Sequence, residues 1–199
     1  MYIKHLSNFY KILIMFKVYF IKYKFLNISL LTLCFIIVIG FLIPEPVYMP
    51  VVGAKAKDWN KDTFWYEPWG KSGVHKGMDI FAKKGTAIVS TTNMIILYKG
   101  IKPTAGKHIY ALGPKWRIHY YAHLDSFNIN TNVIIKAGIK IGTVGNTGNA
   151  SGKQAHLHYS IMSIIPFFWK ADNNTQGFKK AFYLNPIKYL DYSKEHLGQ

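Results

Sequence analysis

The 199-residue sequence predicts an all-β, antiparallel domain preceded by one transmembrane helix. An almost unbroken apolar stretch covers residues 25–43, which is just long enough to cross the hydrocarbon core of a bilayer. Beyond it, short apolar or alternating runs are separated by glycine and turn residues, as is typical of β-strands. No window within residues 51–165 sustains the period of an amphipathic helix. The chain therefore has room for one β domain with an N-terminal appendage.

The charges around the apolar stretch predict its orientation. Five lysines and no acidic residue occur in the first 24 residues, at positions 4, 11, 17, 22 and 24. The positive-inside bias predicts that residues 1–24 are a basic cytoplasmic segment and that residues 25–43 span the inner membrane once. Everything after Pro44 then lies outside, in the periplasm. A cleaved signal peptide is the alternative, but the nearest small-residue triplet, Ala54–Ala56, lies too far downstream, which favours a retained anchor.

The remaining sequence divides into a linker, a domain and a tail. Residues 44–50 contain three prolines and are expected to be an extended linker, followed by the domain at 51–192 and a tail at 193–199. The predicted strands cover 86–90, 94–98, 108–112, 116–122, 133–135, 139–144 and 156–161, with a turn at Gly113-Pro114. The aromatic segment 59–69 is expected either to pack in the core or to cover a groove. Residues 162–185 are expected to form a loop whose apolar half packs onto the domain.

The net charge of +16 indicates an anionic partner. Five of these charges lie in the first 43 residues, which leaves +11 for the remainder. Nucleic acid is not expected, because Arg117 is the only arginine and arginine leads both base readout and bidentate phosphate contact. The predicted location outside the cytoplasm points the same way. A basic surface would instead raise the rate of encounter with the anionic bacterial wall.

Three blocks of the sequence carry candidate site residues. His156 and His158 are spaced i, i+2 in a predicted strand, so both imidazoles point to one face. His75 and Asp79 would lie about 13 Å apart in a straight strand, so the backbone must bend between them, with Gly77 at the midpoint. His75, Asp79 and His158 together would supply two nitrogen ligands and one oxygen ligand. Three protein ligands with a vacant fourth position are typical of catalytic zinc.

The third block, residues 117–125, alternates like a strand. His119, Tyr121 and His123 share one face if that strand is regular. His119 and Tyr121 are accordingly expected to contact substrate. The alternative for His119 is an exposed surface position without a role in the site.

Four motifs resemble a known family in their order and approximate spacing. They are His75-Lys76-Gly77-Met78-Asp79, Tyr121-Ala122-His123-Leu124, Gly142-Thr143-Val144-Gly145-Asn146-Thr147-Gly148-Asn149 and His156-Leu157-His158-Tyr159. In this respect residues 50–192 are similar to the lysostaphin/LytM-type zinc metallopeptidases, which cleave peptidoglycan cross-bridges. The resemblance implies an antiparallel β-sandwich of the duplicated hybrid motif type.

The resemblance also implies a role for each matching residue. His75, Asp79 and His158 would bind one Zn²⁺, and His123 and His156 would be the catalytic histidines. The chain departs from the family pattern at Tyr159, at Ala87 and in a shortened hairpin at 104–107, but no expected ligand is lost. The shortened hairpin leaves the shape of the groove, and hence the substrate preference, open.

The expected activity is metal-assisted hydrolysis of an amide in peptidoglycan cross-link peptides. A cross-link between D-alanine and a diamino acid is favoured over a glycine bridge, because a short membrane tether suits a thin periplasm. One rival is a wall-binding regulator that keeps the fold and activates another hydrolase. A second rival is a lipoyl-like carrier or a phosphocarrier, which would not explain His75 with Asp79. The sequence does not indicate an oligomeric state or a cell-division partner.

Overall fold

The computed structural model describes residues 2–131 and 133–197. The chain forms two compact units, Met1–Leu42 and Ile43–Gln199. The first unit contains two helices, α1 (Tyr2–Lys22) and α2 (Lys24–Leu42). The sequence has neither glycine nor proline before Gly40, so nothing interrupts helix propagation there. The α1 helix is an addition to the prediction, which assigned no secondary structure to residues 1–24.

The α2 helix coincides with the predicted membrane span. Its length and composition are sufficient to cross a bilayer, although a signal sequence near an N-terminus would meet the same criterion. Among the described residues it is the one helix of this kind.

The second unit is an antiparallel sheet of nine strands. They are β1 (Met78–Phe81), β2 (Ala87–Val89), β3 (Met94–Lys102), β4 (Gly106–Gly113), β5 (Arg117–Phe127), β6 (Ile134–Ile135), β7 (Lys140–Val144), β8 (His156–Ser163) and β9 (Tyr183–Leu184). A helix, α3 (Pro186–Leu197), follows the last strand. Within described residues 51–131 and 133–165 the only helical elements are short 3₁₀ turns, so the all-β prediction is confirmed.

The order of the strands is β1-β8-β5-β4-β3-β6, with β9 beside β8 and β2 beside β7. The long strand β5 pairs with β8 up to Ala122 and with β7 from Leu124 onward. The sheet therefore branches at His123, and its two layers enclose the core. Fully buried side chains from both layers form that core, among them Ile80, Ile88, Ile96, Ile109, Tyr121, Leu124, Ile141, Leu157 and Ile161. Their burial is the main source of stabilisation.

The segment expected to be a linker packs against the domain. Residues 44–49 have no regular secondary structure, yet Val47 and Val51 are buried in the core. The carboxylate of Glu45 is 3% exposed and pairs with Arg117 at the start of β5. Its other oxygen accepts a hydrogen bond from the Tyr189 hydroxyl at 2.8 Å. Proline content predicted an extended linker, but it could not reveal this buried ion pair.

Candidate metal centre

The pairing of β1 with β8 brings two of the candidate ligands together. Asp79 stands directly opposite His158, and Phe81 stands opposite His156. His75 precedes β1 and returns to the same place because the chain bends at Gly77. A Cβ atom at Gly77 would lie 2.5 Å from the carbonyl oxygen of Tyr159 and 2.9 Å from the His158 ring. Only glycine therefore allows the backbone to pass this close to the site.

Three potential ligand atoms converge at this point. Nε2 of His75 lies 3.1 Å from Oδ1 of Asp79 and 3.1 Å from Nδ1 of His158. Nδ1 of His158 lies 2.7 Å from the same carboxylate oxygen. In the described part of the chain, these residues form the one cluster of His, Cys, Asp or Glu suited to a metal ion.

The contacts of the outer ring nitrogens fit a metal site. Nδ1 of His75 lies 3.1 Å from the carbonyl oxygen of Thr63, to which it can only donate, so Nε2 keeps its lone pair. Nε2 of His158 lies 3.0 Å from Oγ of Ser160, and donation there leaves Nδ1 free to bind. In a tetrahedral zinc site with bonds near 2.0–2.1 Å, neighbouring ligand atoms are about 3.3 Å apart. Two of the observed separations are 3.1 Å and the third is 2.7 Å, so small side-chain shifts would bring all three to this spacing, and the donor set fits zinc.

The electrostatics favour an ionised Asp79 carboxylate beside a neutral His158 imidazole. Burial alone would raise the pKa of Asp79, but hydrogen bonds with His158 and His75 outweigh it and hold this pKa well below its usual range. Burial is also the main cause of the lowered pKa of His158. An anionic oxygen and an unprotonated nitrogen are the forms that bind a divalent cation.

His123 and His156 lie beside this cluster. Their rings meet edge to face with centroids 5.0 Å apart, and Nε2 of His156 lies 4.0 Å from Oδ2 of Asp79. Nδ1 of His123 donates to the carbonyl oxygen of Thr147 at 2.9 Å, and Nδ1 of His156 donates to that of Gln154 at 2.8 Å. Both Nε2 atoms are thereby left to accept a proton. Burial lowers the pKa of His123 to about 4.

The five residues line one cavity of about 780 Å³. Its wall also includes residues that the sequence did not single out, namely Tyr110, Tyr120 and Tyr183. Trp69, from the aromatic segment, stacks on His75 with ring centroids 4.1 Å apart. In the same segment Trp59 is buried in the core, as one of the two expectations for residues 59–69 had it, while Trp69 lines the wall of the cavity. Three lysines, Lys71, Lys76 and Lys153, complete a cationic wall in which Asp79 is the one acidic residue.

The structure corrects the expectation that His119 and Tyr121 contact substrate. Both side chains are fully buried, and neither lines the cavity. Nδ1 of His119 lies 2.7 Å from the hydroxyl of Tyr159, while the Tyr121 hydroxyl accepts from the backbone of Thr91. The surface alternative for His119 is wrong as well.

The backbone of His123 explains why the expected shared face does not occur. This residue has a φ of 63°, in the left-handed region, so β5 is not regular there. His119 and Tyr121 consequently point into the core, whereas His123 lines the cavity together with Tyr120 and Ala122. The alternation of β5 could have identified Tyr120 as a residue of the cavity wall, but only if the face of Tyr120 and Ala122 had been assigned to the cavity.

The curated relatives that the chain matches include an endopeptidase and a murein hydrolase activator. It is 34% identical over 113 residues to the L-Ala--D-Glu endopeptidase of Bacillus subtilis (strain 168), covering 52% of this chain and 35% of that protein. It is 35% identical over 134 residues to the murein hydrolase activator NlpD of Salmonella dublin, covering 66% of this chain and 30% of that protein. The matched region is thus about a third of the length of these relatives.

Solved structures share the fold. The catalytic domain of lysostaphin from Staphylococcus simulans superposes with a TM-score of 0.50 at 24% identity, covering 62% of this chain and 85% of that one. LytU superposes with a TM-score of 0.50 at 23% identity, covering 75% and 87%. The fold implied by the sequence motifs is therefore confirmed. A family model described as peptidase family M23 matches residues 73–174, and the chain belongs to that family.

Proposed function

We propose that the chain is a zinc-dependent endopeptidase that hydrolyses amide bonds in the cross-link peptides of peptidoglycan. The observation that carries this proposal is the convergence of three metal-ligand atoms within 3.1 Å of one another, beside a pair of histidines. A binding protein without hydrolase activity has no need of this combination. Membership of peptidase family M23 supports the same reaction class.

In this proposal His75, Asp79 and His158 hold one Zn²⁺. The bound ion would supply Lewis-acid chemistry, acidifying a water molecule and polarising the scissile carbonyl. Ser160 and the Thr63 carbonyl orient the two imidazoles through their outer nitrogens. The stacked ring of Trp69 further restricts His75 to one orientation.

His123 and His156 are the proposed catalytic pair. The carbonyls of Thr147 and Gln154 hold Nδ1–H of each ring, so each Nε2 faces the cavity as a proton acceptor. One such nitrogen can take a proton from water, and the protonated ring can then donate it to the leaving amine. A protonated imidazole can also stabilise the developing oxyanion through a hydrogen bond.

The charges of the cavity favour an anionic peptide as substrate. Lys71, Lys76 and Lys153 line it, whereas its one acidic side chain, Asp79, is committed to the metal ligands. A cross-link between D-alanine and a diamino acid carries free carboxylates that these lysines can pair with, and a neutral glycine bridge does not. The similarity to an L-Ala--D-Glu endopeptidase is consistent with action on stem peptides.

We further propose that α2 anchors the domain outside the inner membrane, with the basic N-terminal segment in the cytoplasm. The length and apolar composition of Lys24–Leu42 and the lysines before it support this arrangement. In these terms the domains are the cytoplasmic segment 1–24, the anchor 25–43, the peptidase domain that follows and a C-terminal tail. The wall then lies within reach of the active site.

A second function is favoured by one specific comparison. The similarity to the murein hydrolase activator NlpD makes a regulator of another hydrolase the principal rival. The two functions differ in their need for metal. Activation by protein contact would tolerate loss of Asp79, whereas hydrolysis would not.

The full chain, purified in detergent, provides the test. We expect it to release new peptide termini from isolated wall material in the presence of zinc, as detected by mass spectrometry, and to release none after chelation. Asp79→Ala is expected to be inactive in the same assay. Walls cross-linked through a diamino acid should be cut faster than walls with glycine bridges. Metal-independent stimulation of an added amidase, without peptide cleavage, would support the regulator instead.

A further inference from the structure

The segment that follows β8 exposes a cluster of large aromatic side chains. Trp169 is 79% exposed, Phe168 62% and Phe178 61%. Two lysines flank them, and we call Phe168, Trp169, Lys170, Phe178 and Lys179 the aromatic–basic patch. Residues 162–185 were expected to pack their apolar half onto the domain, and for these three rings that expectation is wrong. A soluble surface seldom exposes three adjacent large aromatics without a partner.

The patch is held together by defined contacts. Two 3₁₀ turns, Phe168–Lys170 and Gly177–Phe182, present the side chains. The backbone N–H of Phe167 donates to the carbonyl of Ala181 at 2.7 Å and joins the turns. The rings of Phe168 and Phe178 lie with their centroids 6.4 Å apart. These two rings therefore form one continuous apolar surface, and Trp169 lies next to Phe168 in the same 3₁₀ turn.

This surface adjoins the place where the chain enters the domain. Burial lowers the pKa of Lys170, and repulsion from Arg117, which pairs with the buried Glu45, lowers it further, so the two cations lie within electrostatic range. The backbone N–H of Ile164 donates to the carbonyl of Trp116 at 2.9 Å, next to Arg117. The patch and the Glu45–Arg117 pair thus occupy neighbouring positions on the domain.

Covalent connectivity limits how far Glu45 can lie from the end of α2. Glu45 lies three residue steps beyond Leu42, the last residue of α2, with Ile43 and Pro44 between them. A fully extended chain of that length spans about 10 Å. If α2 crosses the bilayer, as proposed above, the length of the connecting chain keeps Glu45 within about 10 Å of the outer end of that helix.

We propose that the aromatic–basic patch binds the surface of an anionic lipid bilayer. Tryptophan and phenylalanine partition into the interfacial region, where an aromatic ring is desolvated without leaving the headgroups. Lys170 and Lys179 are placed to interact with anionic phosphates around them. The chain would then contact the bilayer at two points, the α2 helix and the patch. The proposal rests on the membrane anchoring proposed above.

Spin labels on the full chain in nanodiscs of phosphatidylethanolamine and phosphatidylglycerol test this proposal. One label is placed at position 169 in a Cys34→Ser/Trp169→Cys variant. The control is Cys34→Ser/Ile101→Cys. Ile101 is 70% exposed and lies near the end of β3, beside the hairpin that leads into β4. A third sample carries the label on the native Cys34, within α2. Accessibility to oxygen, which partitions into lipid, is compared with accessibility to a water-soluble nickel chelate.

We expect the oxygen-to-nickel ratio to be several-fold higher at position 169 than at position 101, and highest at Cys34. Equal ratios at positions 169 and 101, with Cys34 in lipid, would overturn the patch proposal and leave the anchor intact. A label at position 169 shielded from both reagents would indicate a protein partner and would also overturn it. A water-exposed Cys34 would overturn the anchor, and the patch proposal with it.

Discussion

Nδ1 of His123 donates a hydrogen bond to the carbonyl oxygen of Thr147 at 2.9 Å, across the point where β5 leaves β8 and joins β7. The contact fixes the tautomer of a histidine whose backbone is in the left-handed region, with a φ of 63°. Such a conformation costs about 1–2 kcal/mol for a non-glycine residue. Backbone strain at a residue that faces the cavity suggests that its position serves function rather than stability.

The first prediction separates the catalytic role of the His123 side chain from the cost of its left-handed backbone. His123→Ala and His123→Gly should both lower the rate of peptide cleavage by about 10²–10⁴-fold, because each removes the proton acceptor. Their stabilities should differ, since only glycine relieves the backbone strain. In denaturant unfolding we expect the glycine variant to be more stable than the alanine variant by about 1 kcal/mol. The opposite order would show that the left-handed backbone is not strained.

The second prediction concerns the serine that orients His158. Ser160→Ala removes the Oγ atom that lies 3.0 Å from Nε2 of His158 and should weaken zinc binding by about 10–100-fold in competition with a chelator. Ser163→Ala is the matched control. Ser163 lies in the same strand and is equally buried, but its hydroxyl donates to the carbonyl of Ile165. Equal zinc affinity in the two variants would contradict the role of Ser160.

The third prediction tests the close passage of Gly145, the residue directly after β7, beside the catalytic pair. A Cβ atom at Gly145 would lie 2.4 Å from the backbone nitrogen of Asp125 and 2.7 Å from the carbonyl oxygen of His123. Gly145→Ala should therefore push β7 away from β5 and reduce cleavage at least about tenfold, because displacements near 1 Å are costly at a catalytic site.

Zinc content should stay near one ion per chain in Gly145→Ala, since no ligand comes from β7. Gly152→Ala is the control, because its Cβ would meet nothing within 4 Å even though its φ is 77°. It should lose some stability and retain its activity. Unchanged cleavage by Gly145→Ala would show that the spacing of the two strands does not matter.

The fourth prediction concerns the ion pair between Glu45 and Arg117 at the start of the domain. Glu45→Ala leaves the guanidinium of Arg117, 17% exposed, without its carboxylate and should destabilise the domain by about 3 kcal/mol. Lys84→Ala breaks the exposed pair with Asp125 and should change stability by about 1 kcal/mol or less. Denaturant midpoints measured at constant slope provide the comparison. Similar losses of unfolding free energy in both variants would mean that the Glu45–Arg117 pair does not stabilise the domain more than an exposed ion pair.

The spacing of residues predicted most of the fold and the composition of the metal cluster. Glycine-punctuated alternation placed seven of the nine strands to within five residues at each end, because period-2 burial is a local property, but it did not predict β1 or β9. The alternation of His156 and His158 correctly predicted a shared face, since β8 is regular there. The same rule failed at His119 and Tyr121 because His123 has a left-handed backbone, which the sequence does not reveal. The pairing of Glu45 with Arg117 and the exposure of Trp169 were equally hidden, since both depend on contacts distant in sequence.

The most direct test of the account measures zinc content and peptide cleavage together in the unaltered chain and in Asp79→Ala. We expect the unaltered chain to bind one zinc ion and to cut isolated cross-linked peptides, with activity lost on chelation and restored by zinc. Asp79→Ala should lose both the ion and the activity. An unaltered chain that binds one zinc ion and leaves every peptide bond of the wall intact, or an Asp79→Ala variant that cuts at the original rate, would contradict the account.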